Sequence, residues 1–150
     1  MVTLLQSQLF TSNANGGDPQ NFGSFTAPAG TEFVTVHIAF RDVKPVSQLT
    51  WGNATAEVAI QQGSFTTSLF YFRANNLPSG LSGNLIATGQ GSTRARHLAI
   101  ACYDEDCELI EADKDFGSDA DQTFATLSYQ IGDLIAYTTR VVDSQYNNGT

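Results

Sequence analysis

Apolar side chains in this chain recur at every second residue, and no segment shows the three-to-four-residue spacing of an amphipathic helix. In Phe33–Phe40 one set is Val34, Val36, Ile38 and Phe40, and the other is Phe33, Thr35, His37 and Ala39. Successive side chains on a strand point to opposite faces, so the first set is the expected core face. Residues 94–103 repeat the pattern, with Leu98, Ile100 and Cys102 opposed to His97, Ala99, Ala101 and Tyr103. Residues 64–73 are dense in aromatics and Thr, which suit a pleated, half-buried surface.

Turn chemistry separates these runs. Gly52-Asn53 between 46–51 and 54–60 reads as a two-residue hairpin, because both residues tolerate a positive φ. Gln62-Gly63, residues 75–80, residues 89–93 and Gly132-Asp133 supply further breaks. With 3–10, 81–88, 122–129 and 134–142, about nine strands are expected. The fold class is therefore all-β, an antiparallel β-sandwich of jelly-roll or Ig-like kind. Residues 1–150 form one expected domain, with a long loop at 11–30 around a short strand near Phe25 and a polar tail at 143–150. At 150 residues, roughly 70% of the unfolded chain's surface is buried on folding, enough for a core without metal or disulfide support.

Charge narrows the function classes. Segment 104–121 holds nine acids and one base, which accounts for the whole net charge of −8. The rest is neutral and has no basic stripe, so nucleic-acid binding is not expected. The apolar runs fall far short of the ~20 residues of a spanning helix, so no membrane partner is expected. Residues 1–6 lack a basic start and an apolar stretch, which argues against a signal peptide. The sequons at Asn53 and Asn148 then read as coincidental.

Catalytic signatures are missing: there is no G-x-S-x-G, no H-E-x-x-H and no phosphate loop. The only histidines, His37 and His97, read as surface or rim residues. His97 and Cys102 stand an odd number apart on one strand and so face opposite sides, which removes a Cys–His pair. The expectation is a non-enzyme that needs no cofactor.

Three binding readings stand beside plainer ones. Asp113, Asp115, Asp119 and Asp121, with Gly117 between them, offer hard oxygens to calcium, but the EF-hand order fails and a solvated acidic loop is the favoured reading. Cys102 and Cys107 bracket four residues and either bridge across a hairpin loop or stay reduced, the latter favoured. Trp51, with some of Tyr71, Tyr103 and Tyr129, would form a sugar-stacking platform in a carbohydrate-binding module. A core position for Trp51 is the favoured alternative.

Four pieces in order carry a family resemblance: Gly30-Thr31-Glu32 before 33–42; the hairpin 47–55; Ser68-Leu69-Phe70-Tyr71-Phe72 followed by 77–85; and Leu98-Ala99-Ile100-Ala101-Cys102-Tyr103, with Gly132-Asp133-Leu134 later. Together they resemble a small β-sandwich domain of bacteriophage virion proteins, found in head-surface and tail-fibre components. The resemblance covers about residues 28–140 and transfers no catalytic residue. It implies a structural protein located in the virion, a capsid-decoration or head-fibre subunit that forms a homo-oligomer and contacts capsid or tail proteins. A tail-associated receptor-binding module is the alternative.

Overall fold

The computed structural model describes residues 1–12, 18–40, 46–61, 67–89, 96–110 and 134. The expected strands at 122–129 and 134–142 and the polar tail lie almost wholly outside them.

Nine strands occupy the described residues: β1 (Leu4–Ser12), β2 (Gln20–Thr26), β3 (Phe33–Phe40), β4 (Gln48–Trp51), β5 (Ala54–Thr55), β6 (Glu57–Gln61), β7 (Thr67–Arg73), β8 (Ser82–Thr88) and β9 (Arg96–Tyr103). They form a five-stranded sheet, β1-β9-β3-β7-β6, and a four-stranded sheet, β2-β8-β4-β5. Every pairing is antiparallel. The all-β sandwich is thus the fold. The described residues contain no α-helix, only two short 3-10 turns, Ala74–Asn76 and Ser79–Leu81.

The two-residue repeat becomes the core directly. Val34, Val36 and Ile38 of β3 and Leu98, Ile100 and Cys102 of β9 are buried with Phe70 and Phe72 of β7. From the smaller sheet come Phe25, Leu49, Trp51, Ala54, Leu85 and Ala87. Trp51 joins the layers. Its indole meets the Phe25 ring at 5.5 Å and the Phe72 ring, on the other sheet, at 5.7 Å in an edge-to-face contact. Its Nε1–H donates to the Phe25 carbonyl at 3.1 Å, which satisfies the one polar atom buried with the ring.

The hairpin at Gly52-Asn53 pairs Trp51 with Ala54 and Thr50 with Thr55. Gly52 alone of the two takes a positive φ, +57°. It also sits against β8, where a side chain at Gly83 would land on the Gly52 backbone. Asn53 Oδ1 accepts the Ser79 N–H at 3.0 Å, tying the turn to the second 3-10 turn.

Two expectations are corrected. The run 54–60 is not one strand: it breaks at Ala56, so β5 stays with β4 while β6 crosses to β7 in the other sheet. The loop expected at 11–30 holds β2, seven residues paired with β8, and β1 extends to Ser12. Gly23, at φ +109° beside a register shift, lets β2 bend there.

Trp51→Ala is expected to lower stability by about 3–5 kcal/mol through lost burial and the cavity left behind, read from denaturant unfolding. Gly83→Ala is expected to cost about 1–3 kcal/mol by overpacking the β4–β5 turn against β8.

Candidate functional site

The inner faces are committed to the core, which leaves the outer face of the five-stranded sheet as a surface for contacts. The strand registers set its rows across β7, β3, β9 and β1. One row is Leu69, His37, Ala99 and Leu9; the next is Tyr71, Thr35, Ala101 and Ser7; the third is Arg73, Phe33, Tyr103 and Leu4. Beyond the first row lie Ala39, His97 and Thr11.

The middle of this face is small and apolar, and Ala99 and Ala101 leave a shallow hollow of about 250 Å³ lined also by Ser7, Leu9 and His37. Two polar groups beside it are left over. Thr35 Oγ1 and His37 Nδ1 are buried without a hydrogen-bond partner among the described residues. Such groups are uncommon in native structures and call for a reason. Burial holds the His37 imidazole below its ordinary pKa, and its row neighbours Leu69, Ala99 and Leu9 carry no charge.

One end of the face is aromatic. Phe33 lies between Tyr71 and Tyr103, with ring centroids at 6.0 and 6.2 Å. Tyr71 donates its hydroxyl to Glu57 at 2.8 Å. Burial and that carboxylate raise its pKa. Past Tyr103 the chain turns back across the sheet end. Asp106 accepts from Arg73 Nη2 at 3.0 Å and from the Ala74 N–H at 3.1 Å. The guanidinium beside Asp106 holds its carboxyl below the usual range. Asp104 is lowered chiefly by the Thr3 N–H, which it accepts at 2.6 Å.

Of the sequence-derived candidates, only Tyr71 and Tyr103 come together here, on either side of Phe33. Asp113, Asp115, Asp119 and Asp121 lie outside the described residues, as does Tyr129. Among the described residues no group of three or more metal-ligating side chains comes together. Trp51 is 0% exposed and cannot serve as a stacking platform. The ligand-binding reading of Trp51 is therefore corrected: its ring fills the inter-sheet core. Tyr103 is half-buried against Phe33, on the outer face.

Cys102 and Cys107 are free thiols, so the alternative of a bridge is not realised. Cys102 points into the core between the sheets. Cys107 lies outside β9 and donates its thiol to the Glu105 carbonyl at 3.6 Å. His97 is exposed, paired with the Thr11 hydroxyl at 3.3 Å, on the face opposite Cys102 as the odd spacing requires.

Sequence reasoning missed Thr35 and His37. The repeat assigned them to the outer face, but the strands β7 and β9 that flank β3 bury Thr35 and half-bury His37 there.

No family model, no curated protein and no solved structure matches this chain. The likeness to virion domains therefore rests on the turn and strand signatures alone.

Two outcomes are expected. His37 has a folded pKa below its unfolded value of 6.5, so the unfolded chain binds the proton first. Its contribution to stability is whole above that pH and is lost as pH falls from there toward the folded pKa. Denaturant midpoints measured down this range should fall for the wild type and fall less for His37→Gln. In native thiol labelling Cys107 should react ahead of Cys102, whose burial pushes its pKa up to about 11.

Proposed function

We propose that this protein is a structural, surface-docking subunit of a phage particle, a capsid-decoration or head-fibre component. The observation that carries the docking part is the middle of the outer face. There, Ser7, Leu9, His37, Ala99 and Ala101 line a shallow hollow with no Asp, Glu, Lys or Arg among its lining residues. A contacting protein surface would cover the apolar rows and take their exposed area out of water. Leu9, 63% exposed at the margin of the hollow, extends the apolar surface toward the β1 edge.

The virion setting comes from the sequence resemblance. A sandwich with its inner faces filled by aromatic and branched side chains offers its partners an outer skin, as a decoration subunit must. The carbohydrate-binding alternative has lost Trp51, its leading residue, to the core and keeps only Tyr71 and Tyr103 beside Phe33.

Mass spectrometry and antibody labelling of purified particles test the proposal. This chain should be present at a defined copy number on the head, and Ala99→Arg should reduce its incorporation while leaving its circular dichroism unchanged. Absence from particles defeats the virion reading. Labelling confined to the tail, with loss of adsorption on deletion, would replace decoration by receptor binding.

A further inference from the structure

A β-sheet ends in strands whose outer backbone groups have no ladder partner, and proteins usually blunt them with charge, proline, bulges or short length. Four such edges exist among the described strands, and three are blunted. β5 has two residues. β6 has five, carries Glu57 and shifts register between Val58 and Ile60. β2 shifts register between Asn21 and Gly23, where the Asn21 side chain also takes the Gly23 N–H.

β1 differs. It is nine residues long, Leu-Leu-Gln-Ser-Gln-Leu-Phe-Thr-Ser, without a charged residue or a proline. Its one register shift lies at the start, between Leu4 and Gln6, and Gln6 to Ser12 pair with β9 without interruption. Leu4, Leu5 and Leu9 are 54, 37 and 63% exposed.

We propose that β1 is a self-pairing edge, through which a second copy of this chain adds antiparallel and joins two five-stranded sheets into one. The strand's own pattern selects the occupant and its direction. Exposed leucines stand at both ends of a polar centre, Gln6-Ser7-Gln8. A two-fold axis near Ser7 sets the Leu4–Leu5 end of each copy against the Leu9 end of its mate, twice, as an isologous contact requires. Charge favours the same arrangement. The acidic stretch begins beside the start of β1, where Asp104 takes the Thr3 N–H and Glu105 meets the amino terminus at 2.7 Å. Antiparallel pairing holds the two acidic ends about 25 Å apart, against about 15 Å in a parallel pair. The larger gap exceeds two screening lengths at physiological salt. An uncharged edge at the contact adds no opposing charge of its own. The paired sheets would also place the two hollows on one continuous outer face.

This inference does not depend on the virion setting. The purified full chain should sediment at about twice its 16.1 kDa mass. Leu9→Lys should weaken that association by about tenfold or more, with an unchanged circular dichroism spectrum. Direction is tested in a Cys107→Ser background by mixing Leu5→Cys chains with Leu9→Cys chains under oxidation. Cross-links between the two kinds of chain support the antiparallel pair, and cross-links of Leu9→Cys chains only with one another overturn it. A wild type that stays monomeric throughout the micromolar range also overturns it, and amide exchange then separates the causes. Protected β1 amides in a monomer would mean that other residues of the same chain cover the edge. A dimer absent from phage particles would leave this pairing standing and remove the virion role, while a monomer found on particles would do the reverse.

Discussion

The contact between Trp51 and Phe72 holds the rest in place. Trp51 comes from the four-stranded sheet and Phe72 from the five-stranded one, and their edge-to-face contact lies in the layer between them. The indole N–H would be costly to bury unpaired, and the Phe25 carbonyl of β2 takes it. One side chain thus fixes three things: the register of the β4–β5 hairpin, the approach of β2, and the packing of β7 from the opposite layer. That same commitment removes the single tryptophan from any role at the surface.

Connectivity explains why so much follows from the core. Only β4–β5 and β6–β7 are neighbours both in sequence and in a sheet; every other step crosses between layers. Each crossing strand must present its apolar set inward, whichever sheet it joins. Strand β3 lies between β9 and β7, partners distant in sequence. Its outward residues are shielded by their row neighbours, and this buries Thr35 on a face that would otherwise be open. The outer face thus combines small apolar residues, an aromatic end and, on β3, two buried polar atoms without a partner among the described residues.

Much of this was legible in the residues. Val34, Val36 and Ile38 read as core from spacing and are core, as are Leu98, Ile100 and Cys102. Gly52-Asn53 read as a tight hairpin and forms one. The break at Ala56 was not legible, because 54–60 keeps a strand-like composition on both sides of it. The switch of sheets is decided by where β7 lies, and residue order does not record that. β2 was hidden for a related reason: Gly23 and the polar residues around it look like loop, yet β8 supplies a ladder that makes them a strand. Trp51 sat between two readings until its surroundings were known, since a tryptophan suits a core and a platform equally well.

Residue order by itself determined the all-β character, the identity of the inward faces and the concentration of acid after β9, because each is a local matter of alternation, turn chemistry or charge. Tertiary structure alone decided which strands are edges, that β1 is the longest of them, that Trp51 is sealed inside, and that Thr35 is buried and His37 half-buried on the outer face. Those properties arise from pairing between segments far apart in the chain, and the free energy of such pairing depends on neighbours that no local pattern names.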